Sequence, residues 1–325
     1  MRAWQLHEIG DPIDNLAIHE VDDPAPPGPG QVRVAIESVG ISFPDVLQCR
    51  GQYQIPTRPP FTPGGESAGT VTEVGPDVTD VAVGDRVMML GGGLVEQVVT
   101  AASSVFVLPD GFGCDQAAAV PVNYGTTWFA LHDRAHLAEG ETLLVTGAAG
   151  GTGSAAIQLG KAAGATVIAV AGGADKIAQA ANAGADHVVD HHATPDWVDT
   201  VRELSGGGVD VAYDPVGGDT THQVRRCMAW DGRLLIIGFV AGIPDLPANH
   251  ILLKNYSVVG VHWGASLGRN PESLGRQMRS ILDLAATGGI DPLVYPPYAF
   301  ADGARAVQDL AERKTWGKVV VHVGD

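Results

Sequence analysis

Residues 147–153 read GAAGGTG, between the strand-like segment ETLLVT and the helix-like segment SAAIQLGKAAG. A glycine-rich turn from strand to helix lets the backbone approach a pyrophosphate and points the free N–H groups of the helix at it. The match to the dinucleotide-binding fingerprint is imperfect, because Ala148 takes the first glycine position when Gly150 and Gly153 take the second and third. The turn is therefore either a phosphate-binding site or only a tight corner, and the flanking sequence favours the first.

A regular alternation of apolar runs and alanine-rich segments starts at this turn. The apolar runs, which begin 21 to 24 residues apart, are LLVTG, TVIAV, HVVD, VDVAYD, RLLIIG and SVVGVH. Gly164 and Gly184 end two of the alanine-rich segments and are typical of helix C-caps. Continuous apolar strands with helical connections imply a parallel sheet that is covered on both faces. We therefore predict a doubly wound α/β domain of about six strands over residues 121–260.

The segments before and after residues 121–260 have a different composition and pattern. In residues 1–120, the strand-like segments VRVAIESVG, SAGTVTEVG and RVMML lie among loops rich in proline and glycine, which predicts a β-rich domain. Residues 271–289 have the apolar spacing of a helix, and GKVVVHV indicates a last strand. The tail does not continue the six-strand pattern, so we predict that residues 261–325 return to the first domain.

Composition and charge exclude several classes of protein. The net charge of −17 repels nucleic acid, whose binding relies on Lys and Arg. We find neither an apolar run long enough for a membrane helix nor the pattern of a signal peptide in MRAWQLHEIG, so we expect a cytoplasmic protein. Cys49, Cys114 and Cys227 are far apart and form no CxxC pair, which indicates reduced thiols and no four-cysteine zinc lobe.

The end of the second predicted strand indicates which nucleotide binds. An NAD site usually has Asp or Glu there to hold the ribose 2′-hydroxyl. Residues 171–176 read AGGADK instead, so Gly172 and Gly173 offer N–H donors, and Lys176 offers a charge suited to a 2′-phosphate. This pattern favours NADPH. The alternative is that the glycines form an ordinary loop and Lys176 is a solvated helix residue.

Several separate segments resemble one known family, the zinc-independent quinone oxidoreductases (zeta-crystallin-like branch) of the medium-chain dehydrogenase/reductase superfamily. In chain order they are GISFPDVLQCRGQY, PGGESAGTVTEVGPDV, GDRV, NYGTTWFAL, VTGAAGGTGSAAIQLGKAAGA, YDPVGGDT and LLKNYSVVGVHWG. The resemblance covers nearly the whole chain. It implies an α/β protein with a GroES-like β-rich catalytic domain completed by the C-terminal tail, a doubly wound Rossmann domain, a cleft between them and a homodimer.

The zinc-binding relatives differ from this chain at one informative position. They carry a histidine before the glutamate of PGGESAG, where this chain has Gly65 before Glu66. Without that ligand we predict no metal, and we interpret Glu66 as a structural hydrogen-bond acceptor. The histidines at 187, 191 and 192 have no cysteine or second cluster near them in sequence, so we interpret them as edging the third Rossmann strand.

The resemblance also implies cofactor-binding residues. Thr127 is expected beside the nicotinamide ribose. The pyrophosphate is expected at Ala149, Gly150, Gly151 and Thr152. The 2′-phosphate end of the cofactor is expected near Gly172, Gly173, Lys176, His191 and Arg313. The nicotinamide is expected to be lined by Gly238, Phe239, Val240, Val261, His262 and Trp263.

These features predict an NADPH-dependent, metal-free reductase of quinones or of the conjugated C=C of small enones, in which positioning supplies most of the catalysis. Ser42, which stands where many relatives have asparagine, and Tyr53, which matches a family tyrosine at the cleft mouth, are the catalytic candidates. Either hydroxyl, or water, can protonate the reduced substrate, and for Tyr53 a packed loop aromatic is the alternative. Two other functions remain open: an enoyl-thioester or 2-alkenal reductase, and a non-catalytic NADPH-binding protein of a crystallin-like or redox-sensing kind.

Overall fold

Residues 1–324 are described by a computed structural model, and they divide into two units. The first unit comprises Met1–Val122, Met278–Ala286 and the tail from Val294. The second comprises Asn123–Gln277 and Thr287–Leu293. No helix within residues 1–324 is long and apolar enough to span a lipid bilayer.

Strands and helices follow one another along both units. The strands are β1 (Arg2–Leu6), β2 (Leu16–Glu20), β3 (Gln31–Ile41), β4 (Glu66–Val74), β5 (Arg86–Leu90), β6 (Gln97–Ala101), β7 (Val105–Val107), β8 (Thr142–Thr146), β9 (Thr166–Ala171), β10 (His187–Asp190), β11 (Val209–Asp214), β12 (Met228–Ile236), β13 (Ser257–Gly260) and β14 (Val319–His322). The helices are α1 (Pro12–Asn15), α2 (Phe43–Cys49), α3 (Cys114–Ala117), α4 (Pro121–Trp128), α5 (Gly151–Ala162), α6 (Ala174–Asn182), α7 (Trp197–Leu204), α8 (Gly218–Cys227), α9 (Ala248–Lys254), α10 (Trp263–Arg269), α11 (Glu272–Ala286) and α12 (Gly303–Ala311).

The first unit is built on an antiparallel sheet with the order β14-β3-β4-β5-β7, and β6 pairs with the first half of β3. Alternate residues of β3, including Val32, Val34 and Ile36, are buried, as expected for a strand with one face on the core. The last strand, β14, pairs with the end of β3 through Val319 opposite Ile41. These pairings form the GroES-like domain that the sequence predicted.

The second unit is a parallel sheet with the order β10-β9-β8-β11-β12-β13. This is the doubly wound order, in which the chain starts in the middle, moves to one edge and then returns to build the other. All six predicted apolar runs form strands, and the predicted Rossmann fold is confirmed. The order reverses between β8 and β11, and ligands of such sheets bind at this switch point, beyond the carboxyl ends of the strands.

Glycines end two of the helices that connect the parallel strands. Gly164 and Gly184 follow α5 and α6 with φ of +80° and +100°, the left-handed conformation that allows the chain to turn back to the next strand. Both C-caps were predicted. The predicted helix of residues 271–289 is observed as α11, whose Met278 and Ile281 are fully buried.

Candidate cofactor and active site

The glycine turn joins β8 to α5 at the switch point of the parallel sheet. Gly147, with φ of +56°, makes the left-handed turn. The alignment to the fingerprint had assigned the first glycine position to Ala148, one residue later. A Cβ on Gly153 would overlap the carbonyl oxygen of Gly147 and lie 2.8 Å from the Cα of Ala148. Only glycine therefore allows the helix to pack this closely against the end of its strand.

The start of α5 presents unused N–H groups. Its first bond runs from the Ser154 N–H to the Gly150 carbonyl at 2.8 Å. The N–H groups of Gly151 and Thr152 precede that bond and have no acceptor within the helix. Gly150 is exposed, Gly151 and Thr152 are half-buried, and Ala149 is buried. These positions can bind an anion such as a diphosphate, because the positive end of the helix dipole lies there.

A buried carboxylate holds the strand ends around this turn. Asp214, the last residue of β11, accepts hydrogen bonds from the Thr146 hydroxyl at 2.7 Å and from the Val216 N–H at 3.0 Å. It also accepts one from the Thr221 hydroxyl at 2.5 Å. Thr146 ends β8 immediately before the glycine turn, so Asp214 fixes the turn to the neighbouring strand. No sequence motif marks Asp214 as a residue of the site.

Tyr213 links the same strand to α4. Its hydroxyl lies 2.9 Å from Thr127 Oγ1, and Thr127 Oγ1 lies 3.5 Å from the Thr152 carbonyl. Complete burial raises the pKa of Tyr213, so the phenol keeps its proton. Thr127, the residue expected beside the nicotinamide ribose, is thus held against the start of α5. Tyr213 was also missed, because a tyrosine within an apolar strand gives no motif.

Basic side chains gather where β9 ends. A Cβ on Gly172 would lie 2.7 Å from Nε2 of both His191 and His192, so the absence of a side chain lets the two imidazoles close over the strand end. Gly173, with φ of +89°, is the N-cap of α6. Its N–H, which was predicted to be a donor for the cofactor, donates to Asp190 Oδ1 at 3.2 Å. Lys176 lies in the first turn of that helix and helps to line a depression of about 230 Å³. Burial, with the nearby positive charges of His192 and Lys176, lowers the pKa of His191, and Asp190 opposes this.

The remaining predicted cofactor residues lie at other places in the fold. The triplet Gly238, Phe239 and Val240 follows β12, and the triplet Val261, His262 and Trp263 follows β13, so both lie beyond the carboxyl ends of strands. The Trp263 side chain is buried, and its indole N–H donates to Gln277 Oε1 at 2.8 Å. Arg313 belongs to the first unit, where it follows α12 as an exposed residue with φ of 60°.

In the first unit, Ser42 is part of a buried polar cluster. Lys318, 2% exposed, forms an ion pair with Glu66, which is fully buried. The Lys318 ammonium also donates to Ser42 Oγ at 2.6 Å, and the Ser42 hydroxyl donates to Glu66 Oε1 at 3.0 Å. The other carboxylate oxygen, Oε2, accepts from the Val122 N–H at 2.7 Å. We name these three side chains the Ser42–Glu66–Lys318 cluster. Its lysine was not anticipated from the sequence.

Tyr53 is the half-buried phenol of the loop after α2. Burial raises its pKa, and the negative charge of Asp45 adds to the effect. Asp45 is itself buried, which raises its pKa, while the N–H groups of Gly64 and Ser42 donate to it and oppose that rise. Tyr53 therefore keeps its proton at neutral pH, and its hydroxyl has no hydrogen-bond partner in the described part of the chain.

A glycine turn at the switch point of a doubly wound parallel sheet is the arrangement of the nucleotide-binding domain of dehydrogenases. Two family models match this chain: the alcohol dehydrogenase GroES-like domain at residues 28–110 and the zinc-binding dehydrogenase at residues 151–286. Quinone oxidoreductase-like protein 2 of Bos taurus is 40% identical over 311 residues, which cover 94% of this chain and 88% of the relative.

Solved structures agree with this assignment. A probable oxidoreductase of Mycobacterium abscessus is 36% identical with a TM-score of 0.89, and 99% of each chain is covered. The Escherichia coli quinone oxidoreductase, solved with NADPH, is 28% identical with a TM-score of 0.86 over 99% of this chain and 100% of that one. The chain belongs to the quinone oxidoreductase family of the medium-chain dehydrogenase/reductase superfamily and is an oxidoreductase.

The zinc that one family description implies does not fit the residues present. Gly65 has no side chain, and the Glu66 carboxylate is occupied by Lys318, Ser42 and the Val122 N–H. Within residues 1–324, no group of three or more His, Cys, Asp or Glu side chains is placed to hold a metal ion. These residues therefore provide no ligand set for a catalytic zinc.

Proposed function

We propose that this protein is an NADPH-dependent, metal-free reductase of quinones or of the conjugated C=C of small enones. The observation that carries the proposal is the Ser42–Glu66–Lys318 cluster, in which the glutamate is neutralised by a protein ammonium. Without ligands for a Lewis acid, a substrate carbonyl receives no metal polarisation. The acceptor must then be electron-poor by itself, which describes quinones and enones.

When bound, NADPH supplies a hydride from C4 of its nicotinamide. The start of α5 is suited to its diphosphate, and Lys176, with the imidazoles of His191 and His192, is suited to its 2′-phosphate. The end of β9 carries Gly172 in place of a carboxylate of its own, and the nearby Asp190 carboxylate accepts from the Gly173 N–H at 3.2 Å. This arrangement supports NADPH over NADH.

Tyr53 is the better candidate for the proton donor. The single proton of the Ser42 hydroxyl is donated to Glu66, and the Ser42 oxygen accepts from Lys318. Ser42 can protonate a substrate only if it breaks a bond to a buried carboxylate. The Tyr53 hydroxyl keeps its proton and has no competing partner within residues 1–324. We assign Ser42 to holding the cluster and Tyr53 to proton donation.

A substrate panel tests this function. The loss of NADPH absorbance is followed with 1,4-benzoquinone, with a 2-alkenal and with a crotonyl thioester. We expect turnover with the first two. Turnover with the thioester alone would favour the enoyl-thioester alternative, and no turnover with any of them would contradict the proposal.

A matched pair of variants tests the proton donor. Tyr53→Phe should lower kcat for the 2-alkenal by about 10²-fold, because the protonation of a carbon or enolate needs a positioned acid. Benzoquinone reduction should change little, since water can protonate the reduced oxygen. Tyr295→Phe removes the same hydroxyl from another half-buried tyrosine of the first unit and serves as the control. Equal rates for Tyr53→Phe and the control would reject Tyr53.

We also propose a cytoplasmic homodimer. β13 pairs only with β12 in the described sheet, so its other edge offers unpaired backbone groups. Trp230 in β12 and Leu252 in α9 are 68% and 76% exposed, and they add apolar surface to this part of the unit. Sedimentation equilibrium should give a mass twice that of the chain, and Trp230→Glu should lower the measured mass. A monomeric wild type would reject the dimer.

A further inference from the structure

Asn123 is a largely buried polar residue whose side-chain amide makes no hydrogen bond within residues 1–324 and keeps a small contact with solvent. It lies in α4 and is 5% exposed. No donor or acceptor within residues 1–324 pairs with its amide. Most buried amides in folded proteins are paired, because an unpaired one has lost its hydrogen bonds to water without replacement. An amide without a protein partner that keeps a small solvent-accessible face is free to bind a ligand from that side.

The amide is aimed at the start of α5. A Cβ built on Gly151 would overlap Asn123 Nδ2 and lie 3.1 Å from its Cγ and 3.2 Å from its Oδ1. Thr127 follows Asn123 by one helical turn, so both project from the same face of α4. Thr127 is held against Thr152, as described above. This face of α4 therefore borders the N–H groups that open α5.

The direction of the cofactor decides which half of it Asn123 can reach. In this sheet order, β9 lies on one side of β8 and β11 on the other. The adenosine ribose of a dinucleotide lies at the end of the second strand, which is β9 here. Thr127 on α4 is hydrogen-bonded to Tyr213 of β11, so the α4 face lies on the side away from the adenosine.

We propose that the side-chain amide of Asn123 is a ligand of the cofactor and donates from Nδ2 to the phosphate of its nicotinamide half. The inference rests on the proposed use of a nicotinamide dinucleotide. The helix N–H groups and the amide then approach the diphosphate from two different helices. This also explains why position 151 is glycine, since a side chain there would displace the amide.

Binding measurements without substrate test this assignment. Asn123→Leu keeps the side-chain volume but removes the donor, and Asn182→Leu makes the same change at an exposed position of α6. Calorimetric titrations use three ligands: NADPH, NADH and 2′,5′-ADP, which lacks the nicotinamide half. Asn123→Leu should weaken NADPH and NADH by about 10- to 100-fold, the value of one hydrogen bond to a charged group. The affinity for 2′,5′-ADP should stay within about twofold.

Several outcomes would overturn the assignment. Unchanged NADPH affinity would mean that the amide binds something else, such as the substrate. An equal loss for all three ligands would indicate a structural role for Asn123. If Asn123→Leu does not fold, Asn123→Ala removes the same donor without adding atoms near Gly151. A wild-type protein that binds none of the three ligands would instead refute the proposed dinucleotide function itself.

Discussion

Lys318→Met tests how much of the stability of the first unit depends on the buried ion pair between Lys318 and Glu66. The change removes the ammonium and leaves the Glu66 carboxylate fully buried without an opposite charge. Breaking a buried pair from one side typically costs about 3–5 kcal/mol of unfolding free energy. Glu66 keeps two hydrogen bonds, from the Ser42 hydroxyl and the Val122 N–H, so we expect about 3 kcal/mol.

Glu66→Gln is the matching change at the other member of the ion pair, and the two changes are combined in a double variant. In the Lys318→Met/Glu66→Gln double variant no uncompensated charge remains. The amide oxygen can accept from the Val122 N–H, and the amide NH2 group can donate to Ser42 Oγ, which Lys318 no longer occupies. Replacing both members of a buried ion pair by uncharged residues is often nearly neutral. We therefore expect the double variant to unfold within about 1 kcal/mol of wild type, which makes it about 2 kcal/mol more stable than Lys318→Met alone.

Calorimetry is the suitable assay, because the two units can unfold in separate transitions. A loss of 3 kcal/mol should lower the Tm of the affected transition by about 6–12 °C for a unit of this size. A fall of less than about 2 °C in Lys318→Met would show that Glu66 is solvated or neutral in the variant. A double variant no more stable than the single one would show that lost packing, and not charge, is the cause.

Further predictions concern the cofactor and the metal. Lys176→Ala should raise the Kd for NADPH by about 10- to 100-fold and leave that for NADH unchanged, whereas equal losses would remove Lys176 from the 2′-phosphate site. Gly150→Val should abolish the thermal shift caused by NADPH while the apo-protein stays folded, because φ of −80° and ψ of 173° suit any residue and a Cβ meets only the Gly147 carbonyl, at 3.3 Å. Since the pKa of His191 is lowered in the free protein and a 2′-phosphate favours its protonated form, binding should take up protons. The preference for NADP⁺ over NAD⁺ should then grow as the pH falls from about 8 to about 6.5, and a constant ratio would exclude the imidazole. Dialysis against a chelator should leave both activity and Tm intact, and stoichiometric zinc whose removal abolishes activity would contradict the metal-free assignment.

The fold of the second unit could be predicted because its signals are local. Each apolar run is long enough to be buried on both faces of a parallel sheet, and the glycines mark where helices end. Strand ends were less certain: β12 begins at Met228, five residues before the apolar run RLLIIG, because Met228 pairs with Val209 across an irregular register. The glycine turn was recognised for the same local reason.

The partners of the site residues could not be predicted, because packing joins residues that are distant in sequence. Glu66 was interpreted as a hydrogen-bond acceptor, but its ion-pair partner Lys318 lies 252 residues later. Thr127 was recognised by resemblance, whereas Tyr213, which bonds to it, lies in an apolar strand and forms no motif. Asn123 differs from an ordinary helix residue only in being buried without a partner, which no sequence pattern reveals.

The late position of Lys318 has a consequence for the nascent chain. At about 5–20 residues per second, the ribosome adds Lys318 roughly 13 to 50 s after Glu66. During that interval Glu66 lacks the Lys318 counter-ion. The edge of β3 that later pairs with β14 has unpaired backbone groups until β14 is made. The second unit needs residues only up to Leu293. Of the two units, the one whose translation begins first is therefore the one that is completed last.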